Sequence, residues 1–135
     1  MGDFNKAIIE EFRANDGVVG GRFQGRDLIL LNTIGAKSGA LRVIPVVYMM
    51  DGDRYVIIAS NDGSPTHPDW YYNIVAHPEF EMEVDAEKFK VKATMVEEPE
   101  RTRLYDKMAA RYAFFTEYRA NTERVIPLMT LTRKV

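Results

Sequence analysis

The chain contains no cysteine and only two histidines among its 135 residues. The first absence excludes disulfides, thiolate nucleophiles and zinc–thiolate centres. Because no His/Asp/Glu group has metal-ligand spacing either, no metal site is expected. His67 and His77 both precede prolines at the two ends of one short helical segment, where capping or solvent exposure is expected rather than general-base work. Neither a nucleophile elbow nor the Gly-Lys-Ser/Thr ending of a P-loop is present. An enzyme built from these residues would take its chemistry from an organic cofactor. Long apolar runs are missing too, since none approaches the ~20 residues that span a bilayer. No signal-peptide pattern opens the chain, and a cytoplasmic protein is expected. An excess of one charge is also lacking, with 18 basic against 20 acidic side chains and a formal net charge of -2. Electrostatic coating of nucleic acid is therefore not expected.

What is present suffices for one domain, with an N-terminal amphipathic helix over residues 1–17 and the main body over 18–135. Phe4, Ala7, Ile8 and Phe12 recur at helical spacing behind Asp3, a candidate N-cap, and Gly17 lies beyond the end. Glu10 and Glu11 balance Lys6 and Arg13, so packing on the domain is expected ahead of membrane contact. Leu28–Leu31, Val43–Met50 and Tyr55–Ala59 read as three central strands buried on both faces, the last two joined by Asp51-Gly52-Asp53. Pro45 cannot donate to a ladder, so its strand must meet an edge, a bulge or an opening there. Next, Phe80, Met82 and Val84 alternate with glutamates, and Phe89, Val91 and Ala93 alternate with lysines. If Asp85 and Ala86 form the turn, Glu83 faces Lys88, Glu81 faces Lys90 and Glu79 faces Lys92. A short helix runs to about Ala76, another starts near Pro99 and bends around Ala113, and Val125–Thr132 closes as a strand. The order α-β-β-β-α-β-β-α-β, with hairpin-length connections, predicts an α+β, mainly β fold: an antiparallel barrel with peripheral helices.

On this framework Gly35-Ala36-Lys37-Ser38-Gly39-Ala40-Leu41-Arg42 stands out. Convergent backbone N–H groups, glycines that remove Cβ atoms, and two cations suit an anion. A plain solvated hairpin turn is the competing explanation. Ser60 ends a buried strand beside the loop Asn61-Asp62-Gly63-Ser64-Pro65, where a hydroxyl and several amides meet. Trp70 and the aromatic run Tyr112, Phe115 and Tyr118 suit either core packing or the cover of a pocket.

Four fragments, taken in order, carry a family resemblance. They are Gly35-Ala36-Lys37-Ser38-Gly39-x-Leu41-Arg42-x-x-Pro45, Ala59-Ser60-x-x-Gly63-x-Pro65, Pro68-x-Trp70-Tyr71-x-Asn73 and Tyr118-x-x-x-Thr122-x-Arg124-x-Ile126-Pro127. Together, across roughly residues 20 to 132, they resemble the deazaflavin-dependent nitroreductase family. The resemblance implies a split β-barrel of the FMN-binding type that holds coenzyme F420, an 8-hydroxy-5-deazaflavin whose reduced form delivers hydride from C5. By that likeness Lys37, Ser38 and Arg42, with Ala36 beside them, hold the phosphate and oligoglutamate tail. Val43, Ile44, Pro45, Val46 and Val47 line the ring system, while Ile58, Ala59, Ser60 and Asn61 approach its polar edge. Trp70, Tyr71 and Asn73 lie on a helix at the cofactor, and Tyr112, Phe115 and Tyr118 on a segment covering the substrate.

The implied activity is hydride transfer from reduced F420 to an electron-poor acceptor such as a quinone, an activated enone or a nitroaromatic. Ser60, Tyr112 and Tyr118 are the candidate catalytic donors to the acceptor oxygen. Asn61 stands where the resembled nitroreductase has a lysine, and Phe115 and Val47 stand where it has tyrosines. Quinones or enones are therefore expected ahead of nitroimidazoles. FMN in the same barrel and a non-catalytic storage protein are the alternatives, and monomer and dimer remain open.

Overall fold

The computed structural model describes residues 2–23 and 25–134. The side chains of Asp3, Phe4 and Arg22 lie outside the described residues, and with them the expected cap at Asp3. In chain order the elements are α1 (Gly2–Ala14), β1 (Leu28–Ile34), β2 (Leu41–Val47), β3 (Met49–Asp51), β4 (Arg54–Ile58), α2 (Asp69–Ala76), β5 (Glu79–Val84), β6 (Glu87–Met95), α3 (Glu100–Arg111), α4 (Phe114–Ala120) and β7 (Leu128–Arg133).

The strands form one antiparallel sheet in the order β2-β1-β5-β6-β7-β4-β3. Its two edges, β2 and β3, are separated in the chain by Tyr48 alone. Laid flat, six inter-strand spacings would hold those edges about 28 Å apart. Val47 and Met49 can be at most about 7 Å apart. The sheet must therefore curl until its edges meet, which makes a barrel split along one seam. The Tyr48 N–H donates to Asp27 O at 3.1 Å and holds the corner.

This corrects the expectation of one central strand over Val43–Met50. The run is two edge strands, and Val43 to Tyr48 are only half-buried. Pro45, opposite Leu30, sits on the edge strand β2, as a residue without an N–H requires. Leu28 to Leu31 do meet protein on both faces. Ile29 and Leu31 join the barrel interior with Ile57, Ala59, Trp70 and Met129. Leu28 and Leu30 face outward under α1, where Ile8 and Phe12 cover them. On β4 the same alternation sends Val56 and Ile58 outward against Leu104, Tyr105 and Met108 of α3.

Arg13 fixes α1 in place with a two-pronged ion pair, Nε to Glu83 Oε1 at 3.0 Å and Nη2 to Glu83 Oε2 at 2.8 Å. The Glu83 carboxyl, which also accepts from Asn32 Nδ2 at 3.0 Å, is held below the usual carboxylate range chiefly by Arg13. The apolar face of α1 is thus buried on the barrel, and no described helix is long and apolar enough to cross a membrane. Between β5 and β6 the register is the expected one: Glu79 faces Lys92, Glu81 faces Lys90 and Glu83 faces Lys88. Asp85 takes the turn with φ +52°. The helix after Pro99 breaks at Tyr112–Ala113 into α3 and α4, and the Tyr105 hydroxyl spans the break by donating to Phe115 O at 2.7 Å. The closing strand starts at Leu128 rather than Val125, because Pro127 has no N–H to pair.

Candidate active site

The β1–β2 turn is built around its two glycines. The Gly35 N–H donates to Ala40 O at 2.8 Å, the Gly39 N–H to Gly35 O at 2.9 Å, and the Ala40 N–H to Ser38 Oγ at 3.1 Å. A Cβ on Gly35 would lie 2.6 Å from Ser38 Oγ, and Gly39 holds φ +70°, so neither position accepts a side chain without strain. Asn73 of α2 ties the turn down. Its Oδ1 accepts from Ala36 N at 3.0 Å, and its Nδ2 donates to Thr33 Oγ1 at 3.2 Å, which in turn donates to Arg42 O at 2.8 Å. Lys37 and Arg42 are exposed and form no ion pair with any described residue. Two uncompensated cations therefore stand on a rigid turn.

Beside that turn the period-two geometry of β2 divides the expected ring-lining residues. Ile44 and Val46 pack toward the barrel interior with Ala59, Trp70 and Tyr71. Val43 and Val47 pack toward α1. Ile58 faces the α3 side of β4. One face of the edge strand is thus shared with the end of β4 and with α2.

At that end Ser60 is 8% exposed, and its hydroxyl has no hydrogen-bond partner among the described residues. Asn61 and Asp62 adopt φ +48° and +56°, and the Asn61 side chain donates to Thr66 O at 3.1 Å, inside its own loop. Gly63, φ +79°, brings the loop against α4: a Cβ there would lie 3.0 Å from Tyr118 Cα. Tyr118 is half-buried, with its ring 5.4 Å from that of Phe114 and 5.8 Å from that of Phe115. Phe115 itself is 3% exposed and part of the core. Tyr112 lies on the seam. Its hydroxyl accepts from Asp27 N at 3.0 Å and from Arg111 Nε at 3.2 Å, which leaves its own proton available for donation. Asp27 and Arg111 line a cleft of about 410 Å³ with Tyr48, Met49, Met50 and Lys107. That cleft contains none of the expected cofactor residues. Burial, and then the charges of Asp27 and Asp85, push the Tyr48 phenol up to about 12.

Two residues gain importance only in three dimensions. Arg124 reaches the Ser60 loop from the segment before β7, donating to Ala59 O, Ser60 O and Ser64 O. His67 is neither a helix cap nor a solvent-exposed ring. It stacks on Tyr71 with ring centroids 4.3 Å apart, and its Nδ1 lies 2.9 Å from Arg124 Nη1. A guanidinium can only donate, so Nδ1 must accept and the imidazole is held neutral. Burial first, and the Arg124 charge second, lower the His67 pKa.

A pH dependence follows. The folded state binds the His67 proton less readily than the unfolded chain, so its contribution to stability is complete above the ordinary value of 6.5 and is lost as pH falls through the lowered folded value. Urea midpoints should therefore drop below neutral pH. His67→Asn, which keeps an acceptor but cannot titrate, should flatten that part of the profile. An unchanged profile in this variant would remove His67 from the effect.

Comparison with known proteins shows the family to which this fold belongs. Residues 5–133 match the family model for F420H(2)-dependent quinone reductase. An F420H(2)-dependent quinone reductase of Mycobacterium tuberculosis is 38% identical over 130 residues, covering 91% of this chain and 85% of that protein. The solved structure of an F420-H2 dependent reductase superposes with a TM-score of 0.70 at 30% identity, over 77% of this chain and 92% of that one. A second solved relative, described as a domain-swapped dimer, superposes with a TM-score of 0.73 at 28% identity over 96% and 98% of the two chains. A barrel split at an apolar edge, with paired cations at one end and this degree of likeness along nearly its whole length, belongs to the F420H(2)-dependent quinone reductase family, oxidoreductases whose cofactor is coenzyme F420.

Proposed function

We propose that this enzyme reduces planar quinones at a site running from Lys37 and Arg42, along Ile44, Pro45 and Val46, to Ser60. One observation carries the proposal: an apolar edge strand is left half-exposed between two cations that pair with no described residue and a serine hydroxyl that no described residue bonds. Apolar surface is unfavourable in water unless a ligand covers it, and the serine hydroxyl is free to meet that ligand. When bound, the cofactor supplies two electrons and a proton as hydride.

The chain's own residues then bind, orient and exclude water. Lys37, Ser38 and Arg42, with Ala36 in the same turn, hold the tail anions. Ile44, Pro45 and Val46 cover the ring, with Val43 and Val47 supporting them from the opposite face. Ala59, Ser60 and Asn61 form its polar end, with Ile58 supporting them from the α3 side, and Trp70, Tyr71 and Asn73 hold the helix that joins both ends. Ser60, Tyr112 and Tyr118 donate hydrogen bonds to the acceptor oxygen as negative charge develops there, and Phe115 backs the two tyrosines. The second proton of the hydroquinone comes from solvent. The domain-swapped dimer of one relative supports a dimer here as well, which light scattering would test.

Separate titrations of the purified protein with F420 and FMN, followed by turnover on quinones, enones and nitroaromatics, test this. F420 binding and quinone reduction are expected. Ser60→Ala should lower kcat by about 100-fold, the lower end of the value of a single oxyanion donor. FMN binding without any response to F420 would overturn the proposal, and wild-type rates in Ser60→Ala, Tyr112→Phe and Tyr118→Phe alike would remove their roles.

A further inference from the structure

We propose that Arg124 is the positioning residue of the Ser60 end, an inference that rests on the role assigned to Ser60 above. Its guanidinium makes four contacts: Nε to Ser64 O at 3.0 Å, Nη1 to His67 Nδ1 at 2.9 Å, and Nη2 to Ser60 O at 2.8 Å and Ala59 O at 3.2 Å. One side chain thereby bridges both ends of the loop that carries Ser60 and the residue leading into α2. All these partners are neutral. Arg13, Arg54 and Arg111 by contrast each meet a carboxylate. No carboxylate among the described residues pairs with Arg124, and burial lowers its pKa. A half-buried positive charge with no counter-anion among the described residues therefore stands directly behind Ser60.

Peptide geometry states what that charge orients. The bonds preceding Ser60 and Asn61 are trans, so each N–H points away from the carbonyl of its own peptide plane. Because Nη2 holds the Ala59 and Ser60 carbonyls, the N–H groups of Ser60 and Asn61 are directed away from the guanidinium. No backbone hydrogen bond of the loop uses either of them. The same pull on both carbonyls polarises both peptides, so their N–H groups become better donors. Arg124 thus aims two amides and the Ser60 hydroxyl at whatever oxygen gains charge in the site, without touching it.

The test uses Arg124→Ala with guanidinium or urea added at tens of millimolar. The two share shape and hydrogen-bonding capacity but only guanidinium is charged. Arg124→Ala is expected to lose about 10²-fold in kcat, the scale of a misplaced reacting group, with the KM for quinone changed less than about threefold. Guanidinium should restore at least tenfold of that loss and urea little. In the cofactor-free protein the amide NMR resonances of Ser60 and Asn61 should shift in the variant and return with guanidinium alone. A folded Arg124→Ala enzyme with wild-type kcat, or rescue by urea as strong as by guanidinium, overturns the proposal. If that variant does not fold, Arg124→Lys decides: about a tenfold fall in kcat is expected, since a point charge cannot bridge the loop, and a wild-type kcat overturns it. A wild-type protein that neither binds F420 nor reduces quinone overturns the Ser60 assignment and this inference together. Failure in the variants of an active enzyme overturns this inference alone.

Discussion

Replacing both Lys37 and Arg42 by alanine is expected to weaken F420 binding by about 10- to 100-fold and to leave the melting temperature unchanged. Both cations are exposed and pair with no described residue, so neither side chain supports the fold. The turn is held instead by Gly35, Ser38, Ala40 and the Asn73 amide. Free of internal carboxylates, the two charges are available to a ligand's phosphate and carboxylates through charge-assisted bonds. Exposure moderates each contribution, which is why two are needed for an effect of this size. Two outcomes are expected if the tail is the target. The loss should grow with the number of glutamates and nearly vanish for a deazaflavin without a tail. Wild-type affinity should fall with added salt, and that of the double variant much less. Fluorescence titration of cofactors of graded tail length checks both, and a loss independent of tail length would assign these cations elsewhere.

Gly63→Ala is the substitution expected to damage stability and activity together. The residue holds φ +79°, and an added Cβ would approach Tyr118 Cα to 3.0 Å and Tyr118 O to 3.2 Å. These are backbone atoms of α4, so relief requires moving the helix or the Ser60 loop. The left-handed backbone with a side chain and the overpacking together cost about 2–4 kcal/mol, a fall in melting temperature of roughly 10 °C. Gly52→Ala supplies the control. Its φ is +65° with no atom within 4 Å of the added Cβ, so it carries the backbone term alone, about 1 kcal/mol. Equal losses in the two variants would show that the contact with α4 is unimportant. A larger loss in Gly63→Ala, with kcat reduced in the fraction that stays folded, is the expected outcome.

The parts of the fold legible in the sequence are those whose information is local. The β5–β6 register is written in alternating glutamates and lysines around a two-residue turn, and it is the observed one. The break between α3 and α4 lies at Tyr112 and Ala113, where the bend is expected. The apolar run from Val43 to Met50 was not legible in the same way. A strand buried between two layers and a strand held open for a ligand have the same composition, and Tyr48 carries none of the usual signals of a break. Within β2, alternation separates Ile44 and Val46 from Val43 and Val47, but which pair faces the barrel depends on where α1 packs. Arg124 stands in a recognisable motif. Its partners Ala59, Ser60, Ser64 and His67 lie 57 to 65 residues away, beyond any local signal.

The sequence by itself determined the kind of chemistry. Without cysteine or a histidine cluster, and with a glycine-bounded cationic turn among apolar strands, it pointed to an enzyme that borrows its reactivity from an anionic organic cofactor. It determined the β5–β6 pair as well, because side-chain alternation is a property of the local chain. Only the tertiary structure decided where that chemistry has room. Joining the two sheet edges through a single residue forces the sheet to curl, and the curl turns an apolar strand from core into an open edge. The same closure brings Arg124 and His67 behind Ser60, because side chains far apart in the chain acquire neighbours only when the barrel has formed.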